Sequence, residues 1–333
     1  MDPVPSRYPQ RLRKCLDRFG LSNSCYSANY CSFLASIHSL SEPTSYKEAI
    51  IDPLWQQVMD EELSALHKTS MWELVPSGKR AVGCKWVYKI KTRSNSSMER
   101  YKARLVAKGF AQKYGIDYEE TFAPVAKMTT VCTVIAVATV RQWGLSQMDV
   151  KNVFLNGDLV EEVFMVPPPG LPHNPDEVCK LQKALYGLKQ SLRAWFAKFS
   201  AIIYDLGICA SDHDSTIFLC STSAGCIVLL LYVDDMILTD DDTAGTVLLK
   251  SQLQDHFEMK DLGPLRYFLG IEVASYPKGY LLSQSKYASD VIQRARLTDT
   301  RTVETPLELN VRYSSSDGVL LAEPTYIELL LGV

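Results

Sequence analysis

The stretch Cys226–Ile237, CIVLLLYVDDMI, constrains this chain more than any other. Its run of aliphatic residues shows no helical period and reads as a strand covered on both faces. Two adjacent carboxylates, Asp234 and Asp235, stand at the end of that buried run. Neighbouring like charges repel, and removing them from water costs several kcal/mol unless a cation neutralises them. An isolated Asp-Asp pair is more often a polar turn, because strands must end and aspartate suits turns. A third acid shifts the balance. In Leu145–Leu155, LSQMDVKNVFL, Asp149 follows a second short apolar approach. With the two strands side by side, Asp149, Asp234 and Asp235 would form an all-oxygen setting for Mg2+, which favours carboxylates and keeps water and substrate phosphates.

The formal net charge of −3 argues by itself against a polyanionic partner, but its distribution reverses that reading. From Lys79 to Lys113 there are eleven Lys/Arg against one acid, Glu99, a span of +10 that leaves −13 for the rest of the chain. Such a basic face is the footprint of phosphate contact, with a solvated surface hairpin as the plainer alternative. Lys85–Arg93 and Arg100–Lys108 alternate basic with apolar residues around SNSS at 94–97. The alternation predicts a hairpin with one face in the core and a row of positive charge outward. Nine cysteines form no CxxC pair and no Cys/His cluster, so neither a zinc site nor a disulfide framework is indicated. No apolar run approaches the ~18 residues that span a bilayer. The start, MDPVPSRYPQ, lacks a signal-peptide core, so an intracellular protein is expected.

Ser45 and Glu48 have capping-box spacing, and Asp52-Pro53 predicts a second helix start with Leu54, Val58, Leu63 and Leu66 as its buried stripe. Asn156-Gly157 is a turn signal, and PPPG at 167–170 a connector. Leu192, Trp195, Phe196, Phe199, Ile202, Ile203 and Leu206 share one helical stripe that Gly207 ends. Val247–Phe257 and Ser283–Leu297 read as further helices. Residues 1–42 are Ser/Pro-rich without apolar period and are expected to be a disordered basic leader.

QMDVK at 147–151, FLNG at 154–157, LYGLKQ at 185–190 and YVDD at 232–235 resemble the polymerase motifs of copia-type LTR retrotransposon reverse transcriptases. So do RYKARLVAKGF at 100–110, DYEETFAPV at 117–125 and DLGPLRYFLGIEV at 261–273. The resemblance covers residues 43–308 and implies an α+β right-hand polymerase, its antiparallel palm sheet packed on helices. Fingers are expected at about 70–145, palm at about 146–280, the start of a thumb at about 281–308, and an irregular tail at 309–333. It implies an RNA-directed DNA polymerase that uses two Mg2+, with Mn2+ as a substitute, dNTPs, and a primed RNA or DNA template. Other Pol products, integrase and RNase H, are implied partners. Asp149, Asp234 and Asp235 are the implied catalytic metal ligands, with the Val150 carbonyl. Lys102, Arg104, Phe154 and Gln190 are implied on the nucleotide side, Phe154 as an aromatic gate against a 2′-hydroxyl. Gly187, Tyr232, Leu269 and Gly270 are implied at the primer and template.

The sequence departs from the family at four places. Val153 stands where Ala is usual, and two extra carbons are expected to crowd the sugar. Gln190-Ser191-Leu192-Arg193 lacks the usual proline, Cys132 replaces an Arg, and Asp240 replaces a Gly and opens a DDD run at 240–242. The blocks stop near residue 308, before the rest of a thumb and RNase H, so weak distributive extension is expected. A decayed remnant that keeps the fold and binds nucleic acid without extending primers is the alternative. A glycosidase fits poorly, since adjacent carboxyls on one strand do not flank a bond at the required ~5–9.5 Å.

Overall fold

The computed structural model describes residues 42–92 and 98–295. The leader through residue 41, the SNSS turn and everything after residue 295 lie outside the described residues. The described chain falls into two compact units, one of residues 42–65 with 85–92 and 98–105, the other of residues 66–84 with 106–295. The expected boundaries at 145 and 280 both fall inside the second unit.

In the first unit, helix α1 (Tyr46–Ala49) starts where Ser45 Oγ accepts from the Glu48 N–H at 3.3 Å. The Glu48 carboxylate reaches back to the Thr44 N–H, at 2.8 Å, and so caps one residue earlier than a capping box. Helix α2 (Pro53–Lys68) starts with Asp52 Oδ1 accepting from the Leu54 N–H at 2.9 Å. Its buried positions are Trp55, Met59 and the expected Leu66, while the expected Val58 and Leu63 are half-buried and Leu54 is exposed. The indole decides the phase: Trp55 packs edge-on against Tyr88 and Tyr101, at 5.3 and 4.7 Å between ring centres, and buries more area than a leucine could.

After β1 (Trp72–Pro76) come β2 (Cys84–Thr92) and β3 (Met98–Ala107), which pair as the expected hairpin. Trp86, Tyr88, Ala103 and Leu105 are buried while Lys85 and Lys89 are exposed, so the alternation holds.

The second unit continues through α3 (Met128–Arg141), β4 (Gly144–Val150), β5 (Asp158–Met165), β6 (Glu177–Lys183) and α4 (Ser191–Asp205). Then follow β7 (Cys209–Ala210), β8 (Ile217–Ser221), β9 (Cys226–Tyr232), β10 (Asp235–Asp240) and α5 (Thr243–His256). β11 (Met259–Pro264), β12 (Tyr267–Phe268), β13 (Ile271–Tyr276), β14 (Gly279–Ser283) and α6 (Ser285–Arg294) complete it. Strands β1-β6-β5 and β12-β13-β14 form two small sheets, and β11-β4-β10-β9-β8-β7 form the central six-stranded one, with antiparallel pairing throughout.

Both faces of the central sheet are covered. On one, Val150, Leu229, Leu231, Met236 and Leu238 share a core with Trp195, Phe199 and Ile203 of α4 and Leu249 and Leu253 of α5. On the other, Leu145, Leu230 and Ile237 pack with Val131, Val134 and Ile135 of α3 and with Phe268 and Ile271. This two-sided cover is why the β9–β10 run could not alternate with polar residues. Truncating one of its fully buried side chains, such as Leu230 or Met236, would cost roughly 2–5 kcal/mol. The protein is thus α+β, with an antiparallel sheet packed on helices. Among the described residues no helix is long and apolar enough to cross a membrane.

Candidate active site

Strand register brings the distant acids together. Asp149 near the end of β4 lies directly across from Asp235 at the start of β10, and Asp235 lies across from Tyr232 on β9. On the other side of β4, Asp149 is in register with Lys260 of β11. Directly opposed residues share a face, so Tyr232, Asp235, Asp149 and Lys260 form one row across four strands, neighbours about 5 Å apart. Asp234 occupies the two-residue turn between β9 and β10 and is exposed. The Asp234 carbonyl accepts from the Val150 N–H at 2.9 Å, tying the turn to β4.

The turn is an unusual one. Val233 has φ 54°, the left-handed region, where a β-branched side chain is disfavoured. A positive φ at the first turn position belongs to a hairpin that normally places glycine there. The Val233 carbonyl accepts from Trp195 Nε1 at 2.8 Å.

Asp235 is half-buried, and this loss of water pushes its carboxyl above the usual aspartate range. The Gln147 amide, donating to Asp235 Oδ1 at 3.0 Å, pulls it back, while the charges of Asp234 and Asp149 push it further up. Three acids that repel on a partly dehydrated sheet end are a setting that a hard cation would relieve. The donor set, carboxylates with a neighbouring strand carbonyl, fits Mg2+ and would not select a thiophilic metal. Among the described residues no three His, Cys, Asp or Glu side chains are grouped so that they could hold a metal ion. The register brings Asp149 opposite Asp235, and the expected three-acid metal cage is not formed.

Phe154 sits in a short 3₁₀ turn (Val153–Asn156) just after β4, partly buried, its ring edge-on to Tyr186 at 5.1 Å. Leu269 and Gly270, with φ 51° and 84°, make the tight turn between β12 and β13, and Phe268 beside them packs edge-on against Tyr232 at 6.1 Å. Lys102 and Arg104 belong to the first unit. Burial and then the neighbouring charges of Arg104, Arg100 and Lys91 hold the Lys102 ammonium below its usual range, as in a surface crowded with cations. Glu62 stands near them, its carboxyl raised by burial and lowered in part by the Leu105 N–H and by Arg104 and Lys102.

The family profile described as Reverse transcriptase (RNA-dependent DNA polymerase) matches residues 69–309, most of the chain. The chain belongs to the reverse transcriptase family. It is 39% identical over 309 residues to the Retrovirus-related Pol polyprotein from transposon RE2 of Arabidopsis thaliana, covering 90% of this chain and 21% of that protein. It is 40% identical over 283 residues to the corresponding polyprotein from transposon TNT 1-94 of Nicotiana tabacum, covering 82% and 21%. The chain thus spans about a fifth of the length of these curated relatives, which are transposon Pol polyproteins as the copia-type motifs implied. Among solved structures it is similar to a foamy viral protease-reverse transcriptase in complex with double-stranded DNA, at 13% identity and TM-score 0.35 over 72% of this chain and 36% of that one.

Within this reverse transcriptase, several expected positions have a different surrounding from the one expected. Gln190 is 0% exposed: its Oε1 accepts from Gln112 Nε2 and its Nε2 donates to the Asp117 carbonyl, each at 2.9 Å. With both ends of the amide engaged inside the protein, Gln190 braces the start of α4, a surrounding that the sequence expectation of a nucleotide-side residue did not include. Gly187, with φ 89°, does permit a close approach, but to the chain's own backbone: a Cβ there would lie 2.3 Å from the Ala107 carbonyl oxygen. Val153 is buried in the core that packs on the central sheet, so its extra carbons fill core space. Helix α4 starts at Ser191 without the usual proline, and Ser191 Oγ donates to the Leu185 carbonyl at 2.6 Å.

Sequence reasoning missed three contributors. Gln147 could have been found, since it lies two residues before Asp149 and strand period puts both on one face. Lys260 could not, because its place depends on β11 pairing with β4. Trp195 was legible only as core, and nothing in a helical stripe announces the use of its N–H.

Proposed function

We propose that this chain is the polymerase part of a copia-type Pol polyprotein and extends a primer on an RNA or DNA template. The observation that carries this is the row Asp235–Asp149 across the β10–β4 register, with Asp234 in the adjoining turn. In the reaction a primer 3′-oxygen bonds to the α-phosphorus of a dNTP as the bond to pyrophosphate breaks. Asp149, Asp234, Asp235 and the Val150 carbonyl would hold two Mg2+, which when bound favour loss of the 3′-hydroxyl proton and neutralise charge on the phosphates. Gln147 keeps the Asp235 carboxylate oriented, since it donates to only one of its oxygens. Lys260 adds positive charge beside Asp149, where like charge has accumulated. Phe154, braced by the Tyr186 ring, fills the space a 2′-hydroxyl would need. Tyr232 and the Leu269-Gly270 turn form one packed surface for the primer end, and Lys102 and Arg104 bind phosphate on the first unit.

The fingers, palm and thumb assignments follow the same reading, with the central six-stranded sheet as palm. Integrase and RNase H would come from other parts of the polyprotein. The test is primer extension with dNTPs and Mg2+ or Mn2+. Weak, distributive extension is expected, and Asp234→Asn is expected to abolish it; extension that survives this change would refute the metal assignment. In the same assay Phe154→Ala is expected to admit rNTPs, and unchanged sugar discrimination would remove the gate role. Salt-sensitive duplex binding with no extension by the wild-type chain would favour the remnant instead.

A further inference from the structure

Resting on the carboxylate reading above, we propose that Trp195 is a positioning residue for Asp234 and Asp235, acting through the backbone of the turn between them and β9. Two carbonyls fix this turn. That of Asp234 accepts from the Val150 N–H, a backbone contact any sequence would keep. That of Val233 accepts from Trp195 Nε1 at 2.8 Å, a contact that depends on one side chain. It falls on the residue in most need of it, because valine at φ 54° relaxes out of the left-handed region unless something holds it there.

The indole is well suited to hold it. Trp195 is 0% exposed and wedged between Phe199, at 5.4 Å, and Phe257, edge-on at 5.1 Å, so the ring cannot swing to another acceptor. Packing alone would accept phenylalanine at this position; only the N–H needs tryptophan. Any shift in ψ at Val233 re-aims the next two residues, and those are Asp234 and Asp235. The sequence therefore couples the α4 core to the direction in which the acids point.

Four variants of the full chain test this: Trp195→Phe, Val233→Gly, both together, and Ile203→Ala, a core residue two turns further along α4. Hydrogen exchange at the Tyr232–Asp235 amides of the metal-free protein reads the turn, and Mn2+ titration followed by electron paramagnetic resonance reads the acids. Trp195→Phe should speed exchange in this hairpin and weaken Mn2+ binding about tenfold, the size expected from losing one hydrogen bond. Glycine takes a positive φ freely, so adding Val233→Gly should restore both readouts to those of Val233→Gly alone. Ile203→Ala should lower the melting temperature and leave both readouts unchanged. Wild-type exchange and Mn2+ affinity in Trp195→Phe would overturn the proposal. So would failure of Val233→Gly to restore, or an Ile203→Ala loss that matches that of Trp195→Phe. If the wild-type chain binds no Mn2+ that Asp234→Asn removes, the carboxylate reading fails, while hydrogen exchange still decides the role of Trp195.

Discussion

Strand β10 carries adjacent acids at both ends, roughly 17 Å apart for its six residues, and the two clusters are opposite in chemistry. At the far end Asp242 is buried and supplied with donors: the Thr222 hydroxyl at 2.6 Å and the Gly245 N–H at 2.9 Å, the second of these capping α5. These hydrogen bonds hold its carboxyl below the usual range. Asp241 Oδ1 accepts from the Cys226 N–H at 2.5 Å. At the near end Asp235 has the Gln147 amide against burial and two like charges, and its carboxyl is raised. The DDD run has more charge in sequence, yet its acids close a helix and a loop. What distinguishes the two acid clusters is the supply of hydrogen-bond donors to Asp242 and Asp235, and the number of carboxylates does not.

The largest difference should appear in activity. Asp149→Asn should reduce primer extension by at least about 10³-fold, because losing one preorganised electrostatic group at a reacting centre costs about 10²–10³ and metal ligands sit at the upper end. Asp241→Asn, at the other end of the hairpin, should stay within about twofold of wild type, since an amide oxygen can still accept from Cys226. Comparable losses from the two substitutions would break the comparison, because both acid clusters would then serve the chemistry.

Stability should show the reverse order. Asp242→Ala removes the N-cap of α5 and the partner of Thr222, and should lower the melting temperature by about 2–4 °C while extension persists. The Asp242→Asn variant keeps an acceptor and should recover most of the loss. A thermal scan with no change for the alanine variant would show that the α5 cap contributes nothing.

How much of this was legible in the sequence follows from how far each feature depends on distant partners. The buried β9–β10 hairpin was legible because a strand covered on both faces writes itself as an unbroken apolar run. The meeting of Asp149 with Asp235 was legible because each lies beside a short apolar run in blocks of known order. The stripe of α2 held at Leu66 and differed at its start, where Trp55 and Met59 are buried and Leu54 is exposed, because the aromatic partners Tyr88 and Tyr101 favour the indole. The burial of Gln190 was not legible because its partners, Gln112 and the Asp117 carbonyl, come from a loop more than seventy residues earlier. The close approach at Gly187 was anticipated, but the chain's own Ala107 as the neighbour was not. The strain at Val233 has no signature at all, because valine is among the least expected residues for that backbone conformation.

The smallest expected effect sharpens the comparison from the metal-free side. A carboxyl whose folded-state titration is raised favours its protonated form, so its contribution to stability is present at low pH and is lost as pH rises through the raised value. For Asp235 that loss begins just above the ordinary aspartate range, driven first by burial and then by Asp234 and Asp149. Replacing the charge with a neutral isostere should therefore stabilise the metal-free protein at neutral pH. Asp235→Asn should raise the melting temperature by about 1–2 °C at pH 7, with the gain shrinking to nothing below the ordinary aspartate range. At Asp242 the sign is opposite: its lowered carboxyl stabilises the protein above the ordinary range and ceases to do so as pH falls. Adding Mg2+ should then invert the ranking at the near end, raising the melting temperature of the wild-type chain and leaving Asp235→Asn behind, because the cation relieves repulsion that the variant no longer has. A wild-type melting temperature indifferent to Mg2+, together with a stabilised Asp235→Asn, would mean that the strained acids are a structural liability with no cation to relieve them.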